Sequence, residues 1–406
     1  MRFDVHLRRG LQEKLEAVAS RMSGWEEATR VDADEQRRIV DSIQIFAHTT
    51  SREGLVLAGT DGTGDFPTLS YNDSFVHFTL AQATAFAADA ASGLREVAPS
   101  LSPVFEVTWL PSEEAQCLTS LLGAFSSLAG EEIDTTIERS DYRLLKAAVS
   151  GRPNTLSSLR AAMILPQASD AGNLAIQLRS TAELGAALRA IRSVPDLRYM
   201  LLDSTLSLPF VQRPDTSLFF EHLKRLCCVE ALRAGVGFFA LSKSHGLPSI
   251  ELLEGLAREK AGLPAGKTAE HWFLRLPTLD RDGWDLSLTE GRRLPAPGAV
   301  TYLVRYHRTT PVLRLDVDLQ FWQQRVHGET SQGTLDNERV LFEDLDYASH
   351  DQRCYGYPYP LKAAHDRASL TYAERVALRK MIVDAAVEAG MNRNLFNSAS
   401  AATGHG

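Results

Sequence analysis

Leu55 to Gly64 reads LVLAGTDGTG, a short apolar run that closes on Asp61 and breaks into glycine. A run of this length bounded by turn residues is expected to be a strand. Two later stretches repeat the form: RYMLLD (198–203) closes on Asp203, and FFALSK (238–243) closes on Lys243. Outward from these, SFVHFTLAQATAF (74–86), VFEVTWL (104–110), TYLVRYH and VLRLDVD (301–318) read as further strands. Helices are expected within 112–149 and near 178–192, 216–234, 249–261, 335–348 and 371–389. Strands alternating with helices imply a mixed α/β fold, a sheet flanked by helices. The first 50 residues are charge-rich, with Leu11, Leu15 and Val18 at helical spacing, and are expected to form a helical arm. Residues 391–406 are expected to be a loose tail, and the Pro and Gly clusters at 263–267 and 295–298 to be loops inside one domain spanning 51–390.

Composition bounds the function. The 406 residues are 44% hydrophobic and 23% charged, which excludes disordered and collagen-like classes. No run approaches the roughly 18 apolar residues of a membrane helix, and the N-terminal residues interleave charge with apolar positions rather than forming a signal peptide. A cytoplasmic location without membrane contact is expected. Cys117, Cys227, Cys228 and Cys354 show neither zinc spacing nor a disulfide framework, so reduced thiols are expected. The formal charge of -8 argues against coating nucleic acid by bulk charge. Locally the sign reverses. Arg292 to Arg314 holds five arginines and no acid, read either as the wet face of a strand pair or as a surface that tracks phosphates through Arg305, Arg308 and Arg314.

Four positions stand out for chemistry. Asp61 and Asp203 are acids at strand ends, although Asp-Gly is also a common turn and an acid before Ser-Thr a common cap. Glu183, in QLRSTAELGAALRAI, lies on an expected helix twenty residues before Asp203, where a glutamate is ordinarily solvated. The segment CYGYPYPLKAAHDRASLT (354–371) leads three tyrosines and two prolines into a helix bearing His365. Two aspartates, a glutamate and a histidine are oxygen and borderline nitrogen donors that suit Mg²⁺ or Mn²⁺, and the histidine favours manganese. Acid on strand, acid on helix, acid on strand and a late helical ligand is the chain order of an RNase H-like nuclease site. Two phosphate signatures fail: a haloacid-dehalogenase-type nucleophile would fall on Gly59, and DGTG is one residue short of an actin-like loop. Asp316, in LRLDVD, is expected on a solvated strand face.

On these residues the chain resembles the NurA nuclease family, partners of the HerA ATPase in DNA-end resection and anti-phage operons. The resemblance rests on DGT at Asp61, the helical Glu183, LLDSTL with Asp203, FFALSKSH with Lys243, and YPYPLKAAH, and it spans residues 55 to 375. It departs from the family pattern, DGS at both aspartate strands, by reading DGT and DST. It implies an RNase H-like mixed sheet elaborated with insertions, and a metal site held by Asp61, Glu183, Asp203 and His365. Tyr357, eight residues before His365, would complete that site, and Lys243 would meet a phosphate. It further implies Mn²⁺-supported, or Mg²⁺-supported, cleavage of DNA by a homodimer that works with a HerA-like hexameric ATPase. A catalytically inactive adaptor that docks on the motor and guides DNA is the competing expectation. A phosphohydrolase of small substrates is disfavoured by the lack of a phosphate loop.

Overall fold

In a computed structural model the chain is described over residues 5–28, 33–64, 67–71, 74–89, 93–141, 171–206, 219–245, 250–276 and 298–396. It divides into two compact units, residues 1–44 with 249–269 and residues 45–248 with 270–406. The smaller unit holds α1 (Val5–Ala28), α2 (Ala33–Ser42) and α7 (Ile250–Lys260), with α2 packed on α7. The expected arm is thus helical but ends earlier, and it shares its unit with 249–269. The 263–267 loop therefore belongs to that unit rather than to the domain expected over 51–390. Leu11, Leu15 and Val18, read at helical spacing, lie on α1 and are exposed. A two-residue strand, β1 (Gln44–Ile45), falls at the boundary.

The larger unit is built on a mixed sheet. Its centre is a meander of β2 (Val56–Thr63), β4 (Ser74–Asp89) and β6 (Val104–Leu110), each antiparallel to the next. β7 (Leu197–Leu202) then pairs parallel with β2, and β8 (Gly237–Ser242) parallel with β7. In order of appearance these five strands lie 3-2-1-4-5, the strand order of an RNase H-like sheet. Beyond β8 the sheet continues antiparallel through β11 (Leu313–Asp318), β10 (Ala299–Arg305) and β9 (Trp272–Arg275). The short β3 (Leu69–Tyr71) and β5 (Gly93–Glu96) pair with β4.

The central strands carry apolar residues on both faces because both faces are covered. Ala58, Met200, Leu202, Phe238 and Ala240 pack in one core with residues of α3 (Glu114–Ala129), α5 (Ala171–Ser193) and α6 (Phe219–Ala234). Their alternating neighbours Leu57, Leu201, Phe239 and Leu241 pack in the other with residues of α8 (Ser331–Ala348) and α9 (Tyr359–Ala368). Near the former core lies α4 (Ile133–Arg139). The last helix, α10 (Tyr372–Glu388), starts on a capping box of Thr371 and Glu374, and its Val383 packs with Leu69, Val76 and Phe396. Phe396 closes a 3₁₀ turn within the expected tail, and residues 397–406 lie outside the described residues, as do Arg292, Arg293 and the 295–297 loop. All four cysteines are free, three of them buried.

Candidate active site

β2, β7 and β8 run parallel, so their C-terminal ends open on the same edge of the sheet, where open α/β sheets bind ligands. Asp61 is on that edge, Asp203 follows β7 directly, and Lys243 follows β8. The DG pair is no turn: β2 continues through Gly62 to Thr63, paired with Gln82, Ala81 and Leu80 of β4. Pairing with β4 keeps the strand extended past the acid after the β7 pairing has ended at Thr60, so a turn signal is overridden by the sheet.

Two glycines let helices reach this strand end. A β-carbon on Gly59 would stand 2.5 Å from the Leu361 nitrogen and 2.8 Å from its Cα, so α9 lies on bare backbone. The register then repeats. Two strand residues on, about 6.6 Å, is Asp61, and one helical turn on, about 6.0 Å, is His365. The His365 Nδ1 meets Asp61 Oδ2 at 2.6 Å. Thr84, across from Gly59, donates its hydroxyl to the Pro360 carbonyl at 2.8 Å, and the Arg353 guanidinium stacks 3.6 Å from the Tyr359 ring centroid. On the opposite face a β-carbon on Gly62 would lie 2.9 Å from Glu183 Cγ and 3.0 Å from its Oε1. Glu183 of α5 is therefore pressed against the residue that follows Asp61. It is buried, not solvated as a helical glutamate ordinarily is, and Arg179 Nε lies 3.3 Å from its Oε1.

The second carboxylate is held differently. Lys243 Nζ sits 3.3 Å from Asp203 Oδ2 and 4.2 Å from the Tyr357 ring centroid, so one ammonium touches both. Tyr357 is buried, and burial, followed by the charges of Asp203 and Asp61, pushes its phenol well above the ordinary value. It is a proton donor, not a base, at any physiological pH. Asp316 supports the loop beyond Asp203: its Oδ2 accepts from the Leu206 backbone N–H at 2.9 Å and its Oδ1 from Thr301 at 2.8 Å. Far from lying on a solvated face, Asp316 is fully buried.

The arginines expected to track phosphates do something else. Arg305 is 7% exposed and donates to the carbonyls of His307 and Arg308, bracing its own turn. Arg314 forms a two-pronged pair with Asp316 at 2.9 and 3.0 Å. Each guanidinium thus commits two nitrogens to its own segment, a structural role that the sequence reading did not give these two residues. Arg308 is exposed on the turn.

At this edge Asp61 meets His365, and Lys243 touches both Asp203 and Tyr357, while Glu183 comes from the opposite face against Gly62. The three carboxylates and the imidazole are donor types that suit a divalent cation. Yet among the described residues the group whose ligand atoms all lie within 4.8 Å of one another is a different one, His48, His271, Asp346 and His350. The sequence reading missed it. Only Asp346 and His350 are close along the chain, one helical turn apart, and no spacing announces the other two.

No family model and no curated protein matches this sequence. Structures of NurA are among the solved structures similar to it. One is the NurA nuclease from Sulfolobus solfataricus, 14% identical over 95% of this chain and 98% of that one, with a TM-score of 0.45. A NurA bound to dAMP and manganese is 14% identical over 95% and 98%, with a TM-score of 0.42. A NurA with manganese is 12% identical over 94% and 99%, with a TM-score of 0.41. Among the described residues no helix is long and apolar enough to cross a membrane.

Proposed function

We propose that the chain is a metal-dependent DNA nuclease, supported by manganese, in which Asp61, Glu183, Asp203 and His365 hold the cation. The observation that carries this reading is the register of α9 on β2, which sets His365 on Asp61 at a parallel strand edge that also bears Asp203. A bound divalent cation would supply charge to activate a water and to offset the negative charge on a scissile phosphate. The protein's part is position and proton handling. His365 fixes the Asp61 carboxylate through Nδ1, and with its side chain 49% exposed its other ring nitrogen can reach a cation. Tyr357 keeps its proton and offers it as a hydrogen bond to Asp203 or to a phosphate oxygen. Lys243, 42% exposed, can turn from Asp203 to a phosphate once a cation takes its place. Arg308 remains as an exposed cation for the backbone. The partners follow from the resemblance: DNA, a second copy of the chain, and a HerA-like hexameric ATPase in end processing or defence.

One observation favours the competing adaptor reading, in which the chain guides DNA for the motor without cutting it. Lys243 places an ammonium on Asp203 where a cleaving enzyme would place metal. Incubating end-labelled single- and double-stranded linear DNA in Mn²⁺, Mg²⁺ or EDTA, with and without the ATPase, separates the two. The nuclease reading expects label release in Mn²⁺ that EDTA stops. Tight binding to the motor with no release in any metal is the adaptor's result.

A further inference from the structure

A second cluster lies apart from the proposed nuclease residues, and we propose that His48, His271 and His350, organised by Asp346, form a binding site for a zinc-class transition-metal ion. Asp346, fully buried, is the hub. Its Oδ2 lies 2.9 Å from His48 Nδ1, and its Oδ1 lies 3.0 Å from His271 Nδ1 and 3.2 Å from His350 Nδ1. The Thr49 backbone N–H adds a fourth donor at 2.7 Å. Four donors fill the lone pairs of one carboxylate. The His350 Nδ1 also faces the Asp346 carbonyl at 2.9 Å, and a carbonyl only accepts, so that nitrogen carries the proton and the lone pair is on Nε2. A carboxylate that orients several imidazoles by one nitrogen while the other stays basic is the arrangement that surrounds histidine-bound metals.

The spacing fits as well. With metal–nitrogen bonds of about 2.1 Å in tetrahedral geometry, imidazole centroids stand about 5 Å apart. The three rings here are 4.2, 5.2 and 5.3 Å apart. Three imidazole nitrogens suit zinc or cobalt far better than magnesium or calcium, whose preference is oxygen. His271 is held at φ 54°, a conformation that costs a residue with a β-carbon roughly 1 kcal/mol or more, so its ring is placed against its backbone preference. Access is provided by a cavity of about 790 Å³ lined by His48, Thr49, His350 and Arg353. The ligands come from the chain before β2, the start of β9, the end of α8 and the hairpin β12 (His350–Asp351) with β13 (Cys354–Tyr355). A bound ion would clamp that hairpin two residues before Tyr357.

The test uses the full chain with Asp61→Asn, stripped of metal and titrated with Co²⁺, read by visible absorption without DNA. The expected result is one Co²⁺ per chain with a tetrahedral d–d band, displaced by Zn²⁺, lost in His350→Gln and in His271→Asn, and kept in Asp203→Asn. Zn²⁺ should also raise the melting midpoint of the parent but not of the histidine variants, whose circular dichroism shows whether they fold. No band, a band that survives both histidine substitutions, or one lost in Asp203→Asn overturns the proposal. Because no cleavage is read, the nuclease reading stands or falls separately.

Discussion

At the scale of single residues the account rests on which partner each group has. His365 touches Asp61 and nothing in its position is needed for the core, so His365→Asn should keep the fold and lower cleavage by about 10- to 100-fold, the usual cost of losing a group that orients a metal-binding carboxylate. Single-turnover rates at saturating Mn²⁺ beside unchanged thermal melting would check this; an unchanged rate would remove His365 from the site. Tyr357→Phe deletes a buried hydroxyl that makes no hydrogen bond of ordinary geometry. Stability should therefore hold to within about 1 kcal/mol while cleavage falls, as measured by denaturant unfolding and rate together. The strand-end positions of Asp61 and Asp203 and the helix bearing His365 were legible in short sequence patterns, whereas Tyr357 was named through the resemblance. The partners of Arg305 and Arg314 were not legible, for a physical reason. Charge counted along the chain does not reveal that Asp316, two residues on, neutralises Arg314, or that the turn at 307–308 consumes Arg305. Glu183 was placed mainly by its distance from Asp203, since nothing on its own helix distinguishes it from a surface glutamate.

At the scale of elements the decisive contact is α9 on β2. Gly59→Val would drive a side chain into the Leu361 backbone and should cost about 1–3 kcal/mol by overpacking, with a larger loss of cleavage because His365 rides on the displaced helix. Gly123→Ala on α3 is the control: no atom lies within 4 Å of the added carbon, so it should gain about 0.5–1 kcal/mol from helix propensity and leave cleavage unchanged. Urea unfolding of the two variants should move in opposite directions, and movement in the same direction would refute the close approach. Most elements were readable from pattern, including β6 to the residue and α10 within one. The short strands β3, β5 and β9 were not, because three or four residues carry too little periodicity and form only by pairing with an existing edge.

At the scale of the molecule, a mixed sheet flanked by helices was legible in the sequence and its RNase H-like character came through the resemblance, whereas the strand order and the antiparallel extension through β11, β10 and β9 were not, since pairing partners are set by tertiary packing. The same sheet makes the protein acid-sensitive. Burial lowers His77, fully enclosed on β4, from 6.5 to about 4. Because the folded value is depressed, the unfolded chain binds the proton first as pH falls below 6.5. Stability is therefore intact above that pH and is lost between about 6.5 and 4, by up to about 3 kcal/mol. Melting of His77→Gln against the parent from pH 7 to 4 should show a flatter pH slope in the variant; parallel slopes would contradict the assignment. The central claim is that one sheet edge gathers Asp61, Asp203 and Glu183 to cut DNA with metal. The most direct measurement is the rate of Mn²⁺-dependent release from end-labelled linear DNA by the parent, Asp61→Asn and Asp203→Asn proteins at equal folded concentration. The account predicts release by the parent, stopped by EDTA, and a loss of at least about a hundredfold in each variant. Cleavage that survives both substitutions would contradict it.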